Sequence, residues 1–474
     1  MTMKGSFTDI MERRGEILKR TTGIDYEKLT QGKIAFDYEG LFASTGYSLE
    51  NVRAIQRNLR AGNTPLLELK NITRLVRKIT QKGKGARIFV KDEAANPSGS
   101  FKYRRASMPV YHAKKTGYEG VAVATSGNYG AAVASVANVV GVKCIVIQEV
   151  FDSRGIGQPE IIEKGRKCEA YGTEVLQMTV GPELQYMLLR VLDETGFFSA
   201  GLYTPFAVLG IETLGYEIGT AILELEGRPP DAVVITHAGG GNITGTARGL
   251  QKAGCKDTQI IAASVDLSGL HMASDKDFNR KSFTTGHTGF GVPTVTWHDR
   301  MGDVPRNACR PLRYIDRYVT VTQGEVFYVT EMLAQLEGLE RGPAGNTSLA
   351  AALALAREMD EDQILVINET EYTGAGKHPS SQLTFARQNN VEIRRGDPVE
   401  NVPGKVIVIP NHPSQIRAKD LDLLHFQKAN IRNSVQNAGT NIVSEIDVHF
   451  MAEDIQADRR FVRQVLSDLD VQVN

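Results

Sequence analysis

The 474-residue chain has four cysteines, one tryptophan and no net charge, because 55 Lys and Arg residues offset 55 Asp and Glu. Cys144, Cys168, Cys255 and Cys309 lie far apart with no CxxC pair, so no disulfide framework is expected. The nine histidines show no HExxH or related spacing that would hold zinc. Charge balance removes the basic excess that drives contact with nucleic acid or an anionic membrane. No window gives about eighteen uninterrupted apolar residues, and the N-terminal MTMKGSFTDIMERRGEILKR lacks an apolar h-region. Neither a membrane span nor a secretory signal is therefore expected, and the chain is read as cytoplasmic. What is abundant is glycine, 46 residues, and it gathers in the loops between apolar segments.

From about residue 86 onward, short β-branched runs alternate with helical stretches, the pattern of a parallel sheet with crossover helices on its faces. The expected fold class is α/β. Strands are read at ARIFVKDE (86–93), GVAVAT (120–125), KCIVIQEV (143–150), DAVVITHA (231–238), QIIAASVD (259–266) and QILVIN (363–368). Between them YRRASMPVYHAKKTG, NYGAAVASVANVVG, QPEIIEKGRKCEAYG, ELQYMLLRVLDETG and TGTARGLQKAG read as helices closing on glycine. Residues 1–60 form a charged, helix-prone lead-in. The weakly periodic stretch from Ser268 to about Leu312 reads as a large loop or insert, and long inserts of this kind are usually functional or disordered. After Pro403 come a further strand, KVIVIP, and two amphipathic helices expected to start at Ser414 and Glu453.

Three glycine-containing turns join a strand to a helix. The first, NPSGSFK, puts Lys102 in the first turn of a helix, where the positive end of the helix dipole disfavours protonation and favours the neutral amine that a Schiff base requires. A lone lysine there would otherwise read as a surface residue. The second, Ser126-Gly127-Asn128, lets backbone N–H groups approach a carboxylate or a ring oxygen, or serves as a plain N-cap. The third, Gly239-Gly240-Gly241-Asn242-Ile243-Thr244, has the layout of a phosphate cradle, with a ligand-free turn as the other reading. Its spacing is not GxGxxG. No P-loop is present either, since Gly376-Lys377 is followed by His378 and Glu371 stands where the earlier glycine is needed. A single phosphate monoester suits the cradle better than a dinucleotide.

Taken in order, Gly62-Asn63-Thr64-Pro65-Leu66, Lys91-Asp92-Glu93, NPSGSFK, SGN, GGGN and Thr373-Gly374-Ala375-Gly376 resemble the fold-type-II pyridoxal-phosphate enzymes related to threonine synthase, cysteine synthase and the tryptophan synthase β chain. The resemblance implies pyridoxal 5'-phosphate (PLP) as cofactor and two parallel-sheet α/β domains with the cofactor in the cleft between them. It places a large domain at 61–102 and 203–400, a small inserted domain at 103–202 and an extension at 401–474. Lys102 would carry the cofactor as a Schiff base, Asn128 would bond its 3'-hydroxyl, and Gly239, Gly240, Gly241, Asn242 and Thr244 would hold its phosphate. Ser126 and Gly127 would lie near the substrate carboxylate. Thr373 would face the pyridine nitrogen, with Thr370 and Glu369 competing for that place.

The lead-in, the insert and the appendix are together similar to the PLP-binding β subunits of 2-amino-4-oxopentanoate thiolases from anaerobic ornithine degradation. That closer resemblance implies cleavage of 2-amino-4-oxopentanoate by coenzyme A to alanine and acetyl-CoA, a small α subunit as partner, and a homodimer of this chain. The alternative on the same fold is a threonine-synthase-like β,γ-replacement or an ammonia-lyase. Arg300, Arg306, Arg310 and Arg313, with His298 beside them, could contact coenzyme A through guanidinium forks; a solvated loop or a subunit interface is the blander reading and is preferred. Cys309 is conceivable as an acyl carrier, although a PLP electron sink does not require one.

Overall fold

The computed structural model describes residues 5–181, 183–267, 277, 279–285, 304–372, 374 and 376–474. Continuous apolar runs become strands buried on both faces, as expected where crossover helices cover a parallel sheet. The strands, in chain order, are β1 (Leu66–Glu68), β2 (Arg87–Asp92), β3 (Gly120–Thr125), β4 (Lys143–Phe151), β5 (Glu174–Thr179), β6 (Phe198–Ser199), β7 (Ala232–Thr236), β8 (Gln259–Val265), β9 (Arg317–Val321), β10 (Ile364–Glu369), β11 (Glu392–Gly396), β12 (Val406–Pro410) and β13 (Lys419–Asp420).

Eleven of these form two main sheets, and β11 and β12 pair with each other apart from them. The larger has the order β1-β2-β10-β7-β8-β9-β13, with five parallel central strands and antiparallel edges at β1 and β13. The smaller, β5-β4-β3-β6, is wholly parallel. In both, the strand order differs from the chain order, so loops at the carboxyl ends of the strands converge where ligands bind in such sheets. The fold is α/β, as the alternation of runs predicts.

The helix Pro205–Glu226 crosses the centre of the molecule. By length and composition it could span a membrane, yet it is mostly buried here, packed against Gly241–Lys252, the helix that leaves the triple-glycine turn. Two glycines let the backbones meet. A Cβ on Gly215 would collide with the carbonyl of Thr246, and one on Gly249 with the carbonyl of Glu212. This contact fixes the height of the glycine turn above the sheet.

The appendix departs from the sequence reading. It contains three helices, Leu423–Ala438, Glu445–Asp454 and Arg459–Asp468, rather than two. Ser414 lies inside a single turn, Pro413–Gln415, followed by β13, and the helix starts only where Asp422 accepts a bond from His425 N. Glu453 is near a helix end; the true starts are capped by Ser444 and Asp458. Hydrophobic periodicity continues across these breaks, whereas the side-chain caps decide where helices begin.

The Gly249 contact gives a direct test. Gly249→Val should lower stability by at least ~2 kcal/mol, because the clash is with backbone that cannot rotate away. Gln251→Ala on the exposed side of the same helix should stay within ~0.5 kcal/mol. Urea titration followed by far-UV circular dichroism measures both.

Candidate active site

Lys102 is the first residue of the helix Lys102–Lys115. The turn before it is set by Gly99, whose φ of +79° favours glycine and whose added Cβ would run into the Tyr372 ring. Phe101 N donates to Thr370 O at 3.0 Å and Tyr372 N to Gly99 O at 2.8 Å, so the NPSGSFK turn is bonded to the segment after β10. Part of the Lys102 side chain remains accessible, but enough protein surrounds the amine to push its pKa well below the usual lysine range. Burial is the leading cause, and the charges of Arg105 and Lys377 act in the same direction. The helix dipole was the expectation from sequence; the structure adds desolvation and a neighbouring guanidinium.

The SGN turn follows β3. Here the plain N-cap reading gives way to a different arrangement, because Thr125 Oγ1 accepts from both Gly127 N and Gly130 N at 3.1 Å. Asn128, relieved of capping, instead donates through Nδ2 to Glu371 Oε2. Ser126 is half-buried beside it and Gly127 is buried.

Residues 239–244 follow β7. Gly240 has φ +83°, and Gly241–Lys252 begins with no side-chain cap, which leaves backbone N–H groups to meet an anion. Side chains press on the turn from above. An added Cβ on Gly239 would come within 2.9 Å of Tyr203 Oη, on Gly240 within 2.7 Å of Pro311 Cγ, and on Gly241 within 2.5 Å of Arg105 Nη2. Asn242 and Thr244 are buried, but their side chains face the framework. Asn242 Oδ1 accepts from Asn368 Nδ2 at 2.9 Å and the Thr244 hydroxyl donates to Gly240 O at 3.0 Å. Their direct contribution to an anion is through the backbone.

Arg105 was missed from sequence, although it lies one helical turn after Lys102 and the i, i+3 spacing puts both on one face. It is about 2% exposed. Its guanidinium donates to Leu202 O, approaches Cys309 Sγ at 3.5 Å and lies 5.4 Å from the Tyr129 ring centroid. Its Nε is buried without a hydrogen-bond partner, and among the described residues no carboxylate pairs with it. A buried guanidinium left in this state beside a glycine turn with unclaimed N–H groups fits a phosphate monoester. The residues present therefore suit pyridoxal phosphate, with Lys102 for its aldehyde and the turn and Arg105 for its phosphate.

On the opposite side Glu371 accepts from Lys377 Nζ as well as from Asn128. Lys377 also pairs with Glu160 at 2.7 Å, and burial lowers its pKa to about 8. Tyr372 Oη accepts from Lys164 at 2.7 Å and donates to Glu163 at 2.9 Å. These bonds tie the segment after β10 to the helix Pro159–Ala170 of the smaller sheet. Glu369 is fully buried, and burial and Asp92 push its pKa well above the carboxylate range; Thr370 is also buried. Thr373 lies outside the described residues, as do His298 and Arg300. The remaining arginines of the insert are engaged internally: Arg306 over Phe36, Arg310 beside Asp454 at 3.6 Å, and Arg313 with Glu453 at 2.6 Å.

The depressed pKa of Lys102 has a measurable consequence. A lysine in the unfolded range, near ~10.4, loses reactivity about tenfold for each pH unit below that value. The lowered folded pKa moves this loss to lower pH, so the rate of pyridoxal phosphate addition to the cofactor-free chain should fall off at a lower pH than it does for free lysine. Stopped-flow absorbance against pH reads this, and a profile like that of free lysine would contradict it.

Comparisons with known proteins agree with this geometry. Residues 58–370 match the family model "Pyridoxal-phosphate dependent enzyme". The chain is 62% identical over 473 residues to a 2-amino-4-ketopentanoate thiolase beta subunit of an unidentified prokaryote, covering all of both chains. It is 57% identical to the protein of the same name from Acetoanaerobium sticklandii, over 99% of this chain and 100% of that one. A pyridoxal 5'-phosphate-dependent aspartate racemase of known structure shares the fold at TM-score 0.55 and 17% identity, over 70% of this chain and 98% of that chain. With its glycine turns, its buried amine and a family match across two-thirds of its length, the chain belongs to the pyridoxal-phosphate-dependent enzymes.

Proposed function

We propose that this chain is the cofactor-bearing β subunit of a cytoplasmic thiolase that cleaves 2-amino-4-oxopentanoate with coenzyme A to alanine and acetyl-CoA. The observation that carries the reading is full-length likeness, at 57% and 62% identity, to two beta subunits named for that activity. Because this fold hosts many reactions, the family alone would not select one. The beta-subunit names support a small α subunit as partner, and a homodimer of this chain is the symmetric assembly proposed for the whole.

Thiolysis joins the coenzyme A sulfur to the C4 carbonyl carbon and breaks the C3–C4 bond, leaving an electron pair on C3 that takes up one proton to become the methyl group of alanine, balancing the proton the thiol gives up. When bound, PLP supplies the electron sink that makes such a pair accessible. Lys102, whose pKa is lowered by burial and by Arg105, takes the proton from the substrate α carbon and returns it. Arg105 and the N–H groups of residues 239–244 hold the cofactor phosphate, and Ser126 and Gly127 receive the substrate carboxylate. Asn128, oriented by Glu371 and Lys377, is assigned to the cofactor 3'-hydroxyl, and Thr373 to the pyridine nitrogen. The inserted unit at about 103–202 closes the cleft and excludes water through the Tyr372, Lys164 and Glu163 contacts.

The test is turnover by the PLP-loaded chain with its partner subunit, offered 2-amino-4-oxopentanoate, O-phosphohomoserine and threonine in parallel. Acetyl-CoA and alanine should form from the first substrate alone, and Lys102→Ala should lower the rate at least ~10³-fold. Release of phosphate from O-phosphohomoserine, or of a 2-oxo acid from threonine, would transfer the chain to the replacement or lyase branch.

A further inference from the structure

The lead-in, the insert and the C-terminal extension meet around a cavity of about 240 Å³. Four cationic side chains line it, Arg14, Lys33, Arg306 and Arg310, with Phe450 on its wall and no carboxylate among the described lining residues. Arg310 also faces Asp454 at 3.6 Å, which is not part of the lining. Arg14, Lys33 and Phe450 fall outside residues 58–370, the part that matches the family model. The cavity is thus built largely from what this chain adds to the common fold.

The cavity and the candidate active site share one wall. Arg306 and Arg310 line the cavity, while Cys309, between them, approaches Arg105 at 3.5 Å and acts electrostatically on Lys102. Pro311 packs over Gly240 of the glycine turn. A molecule anchored at the arginines is thus linked to the lysine helix through the contact of Cys309 with Arg105.

We propose that this cavity binds the nucleotide end of coenzyme A, an assignment that rests on the thiolase reading above. The 3'-phosphate and 5'-diphosphate together carry about four negative charges at neutral pH; they would meet Arg14, Lys33 and Arg306, with Arg310 shared between phosphate and Asp454, in a concave site where guanidinium forks suit phosphate oxygens. The Phe450 ring and the apolar wall offer a face to adenine. The cavity is small for the whole coenzyme, so the pantetheine arm would leave it and carry the thiol along the shared wall toward Lys102.

The test compares the PLP-loaded wild-type chain with Lys33→Glu and with the double variant Lys33→Glu, Arg306→Glu. Calorimetric titration with adenosine 3',5'-bisphosphate and with coenzyme A should show binding to the wild type and a loss of roughly tenfold or more in the double variant. In the assembled enzyme, the KM for coenzyme A should rise by a similar factor while the KM for 2-amino-4-oxopentanoate moves by less than about twofold. Retention of the cofactor absorbance verifies folding. Lys33 is exposed, so Lys33→Glu alone, expected to weaken coenzyme A binding about threefold, keeps the test open if the double variant fails to fold. Acetyl-CoA formation with an unchanged KM for coenzyme A in both variants overturns the cavity assignment and leaves the thiolase reading standing. Absence of acetyl-CoA formation by the wild type overturns that reading instead. Loss of the partner subunit from the variants at unchanged coenzyme A affinity marks the cavity as a subunit seat and overturns the assignment too.

Discussion

Two consecutive arginines on one helix turn carry opposite electrostatic burdens, and the candidate site depends on that difference. Arg104 is fully buried and neutralised twice over, by Glu93 at 2.7 Å and Glu217 at 2.7 Å. Arg105 is as deeply buried, points to the other side of the helix, and has no carboxylate among the described residues. Burying a charge costs heavily unless it is paired. Arg104 meets that cost within the chain and so anchors the start of the helix. Arg105 leaves it for an anion to meet, at a turn of backbone N–H groups. Lys102, one turn before Arg105, has its pKa lowered by burial and by the same guanidinium, so the proposed anion capture and amine reactivity would come from a single arrangement.

The supporting structure follows from this constraint. Glu93 accepts from Thr64 Oγ1 at 2.6 Å and from Asn96 Nδ2 at 2.8 Å, and Lys91 pairs with Glu217 at 2.8 Å. Two motifs of the sequence, GNTPL and Lys91-Asp92-Glu93, thus hold the lysine helix in place through Arg104. Asp92 takes Arg341, fixing the β2 end against the turn that precedes the helix Asn346–Ala356. Facing the glycine turn, the helices Pro205–Glu226 and Gly241–Lys252 touch backbone to backbone. The distance between amine and cradle is therefore set by rigid elements on both sides, which is what positioning for catalysis requires.

Legibility in the sequence tracked how local each signal is. The continuous apolar runs of β3, β7 and β10 matched their strands to within two residues, and helices closing on glycine, such as Asn128–Val140 before Gly141, were read correctly. Strands β1 and β6 have three and two residues, too few for periodicity to register, and β5 is a largely exposed edge. Lys102, the SGN turn and the glycine turn were visible because strand, glycine and helix start follow one another in the chain. Arg105, Glu371, Lys377 and Tyr203 were not, since each acquires its meaning from a partner far away in sequence. Asn242 and Thr244 show the converse: the motif marks a glycine turn that opens a helix, while their side chains serve the frame. The insert arginines were read as a solvated loop or a subunit interface; Arg306, Arg310 and Arg313 instead contact the lead-in and the extension within the chain, partners that no local pattern reveals.

The central claim is that Lys102, beside Arg105, carries pyridoxal phosphate for a reaction on 2-amino-4-oxopentanoate. The most direct measurement is the visible absorbance of the PLP-loaded wild-type chain, titrated in turn with 2-amino-4-oxopentanoate, O-phosphohomoserine and threonine. A cofactor band that depends on Lys102 should appear and should change on addition of 2-amino-4-oxopentanoate alone. A band that responds only to O-phosphohomoserine or threonine, or the absence of any such band with Lys102 intact, would contradict it.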